Sequence, residues 1–296
     1  MATSHLVCFS FLTALLLLLL PFSHSSSFGG DRYRPRRRPP AIAKVPQSDV
    51  DLVEFPLNLE YLEAEFFLFG ALGHGLDVYA PNLTDGGPPP IGARKANLDL
   101  VTRDIVEQFA WQEVGHVKAI KSNVKGFPRP QLDLSPASFA KVINDAFGKS
   151  LSPPFDPYAN SINYLIACYL IPYVGLTGYL VAGLLAVESG QDARALVKVH
   201  PYGISVAEFT NRISVLRNRL GGAGVKDEGL VVPKELGAER KVRGNVLAGD
   251  EFSLGYGRTP EEILRIVYGG GNESSPGGFY PKGAQGRIAR SHLAYM

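Results

Sequence analysis

The sequence has almost no cysteine, and this scarcity limits how the protein can be held together. Its 296 residues include only Cys8 and Cys168. Cys8 lies in an N-terminal segment that reads as a secretory signal peptide, so the mature chain is expected to keep Cys168 alone. One cysteine cannot form an internal disulfide, and stability must therefore come from a packed core, for which a hydrophobic content of 45% is sufficient.

Other features are also missing, and each absence excludes a class of function. The formal net charge is only +2, which gives no argument for nucleic acid as a partner. The chain has no Gly-x-Ser-x-Gly motif, no cysteine and histidine spacing typical of zinc sites, and no internal repeat. Nucleophilic catalysis therefore has no convincing candidate residue, and no nucleic acid partner is expected.

The N-terminal segment from Met1 to Ser27 has an apolar centre over Phe9 to Leu20, followed by a proline and a serine-rich exit. That apolar run is shorter than the roughly 20 residues needed to cross a bilayer, so cleavage is expected, with no membrane attachment afterwards. Two sequons begin at Asn82 and Asn272 in loop-like surroundings. Together these features predict a secreted glycoprotein of the extracellular space or cell wall.

Residues 28–47 form a basic, proline-broken segment that cannot fold alone. The simpler interpretation is a solvated linker. The alternative is adhesion to an anionic polymer such as an acidic cell-wall polysaccharide, through a cluster of five arginines: Arg32, Arg34, Arg36, Arg37 and Arg38.

From residue 48 to residue 200 the apolar spacing is helical and predicts an all-α bundle. A C-terminal region over residues 201–296 is expected to contain helices opened by the capping boxes Ser205 to Glu208 and Thr259 to Glu262, with glycine-rich irregular chain packed on the bundle. The bundle helices are expected over about Pro56 to Leu76, Thr102 to Val124, Ser161 to Tyr179 and Leu180 to Val197, with a shorter helix after the N-cap Ser135.

The second of these helices carries Glu-x-x-His on a face that is expected to be buried. Ile105, Phe109, Glu113, His116 and Ile120 recur at helical steps, so a carboxylate and an imidazole point where isoleucine and phenylalanine point. Burying an unpaired carboxylate is costly, so the two groups either satisfy each other with a third partner or hold a metal ion. Taken alone, the motif is more often a hydrogen-bonded structural pair than a metal site.

Two aromatic residues in the helical apolar runs, Trp111 and Tyr173, are interpreted as core residues and not as a sugar-binding platform.

A further expectation concerns the length of the connection between the third and fourth bundle helices. Antiparallel helices need a turn, yet Tyr179 runs directly into Leu180. Either the helix bends sharply there, or the connection between the third and fourth bundle helices is shortened.

Six segments of the chain match the pattern of a known family: Phe55 to Phe67, Gln112 to His116, Phe127 to Pro130, Pro172 to Tyr179, Val187 to Asp192 and Thr259 to Tyr268. In these segments and in its layout, the chain resembles the ferritin-like superfamily, and more closely the secreted plant desiccation-related proteins associated with water stress. This resemblance implies a ferritin-like bundle with an irregular C-terminal extension.

The resemblance also implies a set of metal ligands, since a full di-metal site takes a Glu from each of two helices and Glu-x-x-His from each of the other two. Glu60, Glu113, His116 and Glu188 match that pattern, with Glu63 next to the first. The third apolar stretch has no acidic residue, and the fourth has glutamine in place of the expected histidine.

Because the ligand set is incomplete, the favoured interpretation is a vestigial polar network in a non-enzymatic protective protein without a cofactor. The alternative is a di-iron-type oxidase or a metal-sequestering protein that holds iron or manganese through the four surviving groups.

Overall fold

The computed structural model describes residues 46–172, 174–175, 198–199, 202–229, 231–236, 249 and 255–293. These residues are mostly helical. The helices are α1 (Gln47–Glu54), α2 (Leu57–Leu72), α3 (Leu76–Tyr79), α4 (Leu100–Asn123), α5 (Pro136–Phe147), α6 (Ser161–Leu170), α7 (Val206–Gly221), α8 (Pro260–Val267) and α9 (Gly286–His292), with single 3-10 turns at Pro81–Leu83 and Lys234–Leu236. Strands β1 (Lys198–Val199) and β2 (Ile204–Ser205) form a short antiparallel pair.

Helix α2 is the central helix and is buried on nearly every side. It follows Pro56 and ends at Gly73, whose positive φ of 86° suits glycine at a helix C-terminus. Only Phe69 and Leu72 are not fully buried along its length. Its second half, from Phe66 to Leu72, is apolar nearly all round, which predicts a helix surrounded by others. Its three glutamates are equally buried, which the apolar pattern alone does not predict.

Helix α4 packs antiparallel against α2. Near one end, the rings of Phe67 and Phe109 lie 5.6 Å apart. Near the other, Lys121 Nζ donates to the Tyr61 hydroxyl over 3.2 Å. Residue numbers therefore rise along one helix as they fall along the other. The side chain of Asp99 caps the start of α4 by accepting from the backbone N–H of Thr102.

The buried stripe of α4 differs from the predicted one at its beginning. Val106, Ala110 and Val117 are buried together with Glu113, whereas Ile105 is 42% exposed. Phe109 is only partly buried. Ile105 and Val106 are adjacent apolar residues, and either one can start a helical stripe. The choice of Ile105 was wrong, while Glu113 and Ile120 belong to both stripes.

Trp111 lies on the outer side of α4 and is 45% exposed. The prediction that it is a core residue was wrong. It precedes Glu113 by two residues, which places it about 200° around the helix from that buried side chain. Its ring meets the Tyr79 ring edge-on, with centroids 5.5 Å apart.

The C-terminal region packs on α2 and α5. The rings of Phe279 and Phe139 are 5.1 Å apart. Tyr280 donates to the carbonyl oxygen of Asn58 over 2.8 Å, and the Asn58 side chain exchanges hydrogen bonds with the backbone of Gln285. These contacts join α2 to a segment more than 200 residues later in the chain.

The predicted N-caps are largely confirmed. Ser135 caps α5, and Thr259 with Glu262 forms both halves of a capping box at α8. At α7, Ser205 accepts from the Glu208 backbone, but the Glu208 carboxylate accepts from Arg212 instead of returning to the cap. Only half of that box is therefore formed.

Removing the cap of α8 should destabilise the protein. Replacement of Thr259 with alanine deletes the acceptor for the Glu262 N–H, and we expect the free energy of unfolding to fall by about 1 kcal/mol. Calorimetric melting measures this loss. Ser291→Ala is the control, since among the described residues that exposed hydroxyl donates only to the Ile288 carbonyl oxygen within its own turn. An equal effect of both substitutions would contradict the role of the cap.

None of the helices within the described ranges is long and apolar enough to cross a membrane. Several sequence predictions fall outside those ranges: the signal peptide, the linker with its arginines, Tyr173, Glu188, and the connection between the third and fourth bundle helices.

Candidate metal centre

Helices α2 and α4 bring Glu60, Glu113 and His116 together. His116 Nδ1 lies 3.0 Å from Glu60 Oε2 and 3.0 Å from Glu113 Oε2. The spacing of three residues places Glu113 and His116 on one face of α4, and α2 presents Glu60 at the same level. The potential ligand atoms of the three residues all lie within 4.8 Å of one another. Glu60 is thus the third partner that the buried Glu-x-x-His motif requires.

The cluster is almost completely shielded from solvent. The side chains of Glu60 and Glu113 are 0% exposed, and that of His116 is 12% exposed. Glu60 Oε1 is buried and accepts no hydrogen bond from any residue that the structure describes. A buried carboxylate oxygen without a donor costs free energy, which a metal ligand bond would offset. Two carboxylates and one imidazole are donors that suit iron and manganese, so the residues fit such an ion.

The ionisation of these groups is strongly shifted. Burial raises the pKa of Glu60 to about 8, with the hydrogen bond from His116 opposing the shift and the Glu113 carboxylate adding to it. Burial alone lowers the pKa of His116, but its hydrogen bonds to Glu113 and Glu60 outweigh that effect and raise it to about 10. Near neutral pH the cluster therefore retains protons that a bound cation would displace.

Glu63 lies one helical turn from Glu60 and is 0% exposed. The pKa values of the Cys168 thiol and the Tyr280 hydroxyl are raised mainly by the burial of these two groups, and the charge of Glu63 adds to both shifts. Glu63 therefore faces the interior near both groups. It does not belong to the three-residue grouping of ligand atoms. The remaining predicted ligand, Glu188, lies outside the described residues.

A second buried ionic cluster, which sequence reasoning missed, lies further along α2. The guanidinium of Arg129 is fully buried and pairs with Glu65. It also donates to Asp77 over 2.8 and 2.9 Å and to the carbonyl oxygen of Pro88 over 2.9 Å. Burial raises the pKa of Glu65 to about 6, against the effect of Arg129. The only sequence signal was a third glutamate in α2, directly before the apolar run that begins at Phe66.

The asparagines of both sequons lie at the surface, although Thr84 of the first sequon is buried. Asn82 is exposed in the 3-10 turn that follows α3, and Asn272 is exposed after α8. Both positions have the accessibility that glycan attachment requires, and glycosylation at them stays a prediction.

The chain matches the family model of the ferritin-like domain over residues 48–201. It is 59% identical over 265 residues to the desiccation-related protein PCC13-62 of Craterostigma plantagineum, covering 82% of this chain and 85% of the relative. It is 56% identical over 271 residues to the ferritin-like catalase Nec2 of Nesocodon mauritianus, covering 84% and 87%. No solved structure matches the chain.

Proposed function

Because this chain belongs to the ferritin-like family, we propose that Glu60, Glu113 and His116 bind iron or manganese and that the loaded protein removes hydrogen peroxide. The observation that carries the metal site is the buried Glu60 Oε1 beside two other ligand side chains. The reaction class comes from the relative named a ferritin-like catalase. In a catalase reaction two molecules of hydrogen peroxide give two of water and one of dioxygen, one peroxide being oxidised and the other reduced.

The residues of the cluster have separable tasks. A bound iron or manganese ion would supply the electron exchange with peroxide. Glu60 and Glu113 are fully buried, and their carboxylates would supply the negative charge that balances a cation. His116 is the member in contact with solvent, so a small polar molecule would approach from its side of α4. In the metal-free protein the His116 imidazole and the Glu60 carboxyl hold protons, and binding of the ion would displace them, so that both groups act as ligands.

Oxygen evolution tests this function. Protein stripped by a chelator and reloaded with manganese or iron should release one dioxygen for every two peroxides consumed. Zinc reloading is the matched control, since zinc accepts the same ligand types but has no redox chemistry. Dioxygen release by the manganese or iron form alone supports the proposal. Loaded protein that binds the metal but releases no dioxygen rules out the catalase function and leaves metal sequestration.

The second candidate is a non-enzymatic protective role during dehydration. It is supported by the relative named a desiccation-related protein and by the incomplete ligand set in the sequence. An oxidase that consumes ferrous iron and dioxygen is the third alternative. Stoichiometric metal in protein purified without chelators would count against the non-enzymatic role. Dioxygen consumption by the protein with ferrous iron, without added peroxide, would identify the oxidase.

We further propose that the protein is secreted to the cell wall and that its basic N-terminal segment contributes to retention there. The support is the signal-peptide pattern and the five arginines between residues 32 and 38. Deletion of residues 32–38 should release the protein from pectin at low salt. Replacing the five arginines with lysine is the control, because the charge is kept. Unchanged retention after the deletion would leave the segment as a linker.

A further inference from the structure

The outer face of α4 carries a row of exposed residues with the spacing of a helix-packing seam. The steps between neighbours alternate between four and three residues, which is the spacing of positions that contact a partner helix in a coiled coil. None of the row is charged, which is unusual for a solvent-facing helix surface. We call it the outer seam; it consists of Val101, Ile105, Gln108, Gln112, Gly115, Ala119 and Ser122, all exposed.

The two halves of the outer seam differ in size in a self-complementary way. Val101 and Ile105, in the N-terminal half, are 69% and 42% exposed. Gly115 and Ala119, in the C-terminal half, are small. If a second copy of α4 packs antiparallel about an axis near Gln112, each bulky residue faces a small one of the other copy.

Gly115 supports this reading independently. A Cβ atom at this position would meet nothing within 4 Å, and its φ is not positive, so the described part of the chain itself does not require glycine. Glycine in the middle of a helix is nevertheless less favourable than alanine by about 1 kcal/mol. Close approach of a second helix gives a physical reason for a residue without a side chain.

One flank of the outer seam has matching charges. Asp104, Trp111 and Lys118 follow one another at intervals of seven residues, so they line the same side of α4. In an antiparallel pair related by a two-fold axis, this flank of one helix meets the same flank of the other. Asp104 then faces Lys118 of the second copy, twice, and the two Trp111 rings meet near the axis. Within one copy Asp104 lies 3.4 Å from the exposed Arg103, a pair that is weak in water.

We propose that this protein forms a two-fold symmetric dimer in which two α4 helices pack antiparallel along the outer seam. The seam spans 22 residues, or about 33 Å, and a helix contact about 10 Å wide covers roughly 330 Å² per copy. A standard stable interface covers about 800 Å² per partner, so the dimer is expected to dissociate on dilution through the micromolar range.

A charge exchange on the flank tests the dimer. Sedimentation velocity of the full mature chain from about 1 to 100 micromolar should show concentration-dependent dimers. Asp104→Lys alone and Lys118→Asp alone should each weaken association at least about tenfold, because like charges then face each other. The double substitution D104K/K118D should restore it, because the charges are exchanged in both copies.

Lys149→Asp is the matched control, an exposed charge reversal beyond the end of α5. Because Asp104 and Lys118 are both exposed, we expect the variants to melt at the same temperature as the wild-type protein, which would show that they fold. A wild-type chain that stays monomeric overturns the proposal. A double variant that dimerises no better than the single variants overturns it equally.

Trp111 gives a second measurement that needs no variant, because it is the single tryptophan of the chain. Its fluorescence emission should shift to shorter wavelength as the concentration rises and the indole leaves water. An emission maximum that stays constant while dimers form would place the interface on another face and contradict the proposal.

Discussion

Replacement of Arg129 with methionine should lower the free energy of unfolding by about 3–5 kcal/mol near pH 7.5, because it leaves the Glu65 carboxylate buried without its partner. The guanidinium also satisfies two loop carbonyls, those of Gly87 and Pro88, and these would lose their donors. For a domain of this size the melting temperature should fall by roughly 10 °C, which calorimetry would detect.

The size of this effect should depend on pH in a defined direction. Burial raises the pKa of Glu65 to about 6, from an ordinary value of 4.5. The folded state therefore binds the proton of the Glu65 carboxyl group more tightly than the unfolded state does. The stabilisation that this protonation provides is present at low pH and is lost as the pH rises through 6. Without Arg129 that pKa should rise further. The penalty of Arg129→Met should accordingly shrink toward pH 5, when Glu65 becomes neutral.

Two further variants separate this explanation from general damage. Adding Glu65→Gln to Arg129→Met removes the lone charge and should recover part of the lost stability. Arg94→Met is the control at the surface, because it removes an arginine that pairs with Asp156 while 54% exposed. It should lower the free energy of unfolding by no more than about 1 kcal/mol. A penalty for Arg129→Met that is independent of pH and unchanged by Glu65→Gln would show that the buried charge is not its cause.

Replacement of Glu60 with glutamine is the second large effect that we expect. The substitution keeps the shape of the side chain but removes a carboxylate ligand. Loss of a group that only hydrogen-bonds to a metal ligand lowers metal affinity by up to about 100-fold, so loss of a ligand itself should lower it by more than about 100-fold. The stability of metal-free protein should stay the same or rise, because a buried ionisable group is removed. Calorimetric titration with manganese and thermal melting measure the two properties separately.

The control for Glu60→Gln is Glu65→Gln. Both glutamates are fully buried on α2, but Glu65 lies outside the three-residue grouping. The Glu65→Gln variant should therefore bind metal as the wild-type protein does, although the pairing of residue 65 with Arg129 is weakened. Unchanged metal affinity in Glu60→Gln would mean that the cluster is a structural hydrogen-bond network, as the incomplete ligand set first suggested.

Features set by local sequence were predicted closely. The predicted N-caps at Ser135 and Thr259 start α5 and α8 as expected. The predicted second bundle helix agrees with α4 to within about two residues at each end, the usual uncertainty of a helix boundary. Caps, glycine stops and helical periodicity act over a few residues, and they are legible in a single sequence.

The resemblance to plant desiccation-related proteins is confirmed by 59% identity over most of the chain, and the ferritin-like class by the family match. Periodicity alone would have supported only an all-helical bundle. The meeting of Glu60 with His116 joins residues 56 positions apart, and it was predicted because the family pattern pairs those helices.

The errors came where local patterns were ambiguous or the contacts were distant. Two neighbouring apolar stripes on α4 differ by one residue, and periodicity cannot choose between Ile105 and Val106. Trp111 was placed in the core on hydrophobicity alone, although single apolar residues are common on surfaces. The pairing of Arg129 with Glu65 spans 64 residues and leaves no periodic signal.

The most direct test of a metal site between α2 and α4 is a crystal of protein purified without chelators, measured above and below the manganese and iron absorption edges. We expect an anomalous difference peak that changes across one of these edges and lies within ligand distance of Glu60, Glu113 and His116. Density there that shows no anomalous signal, in crystals grown with either ion present, would contradict the assignment of these three residues as metal ligands.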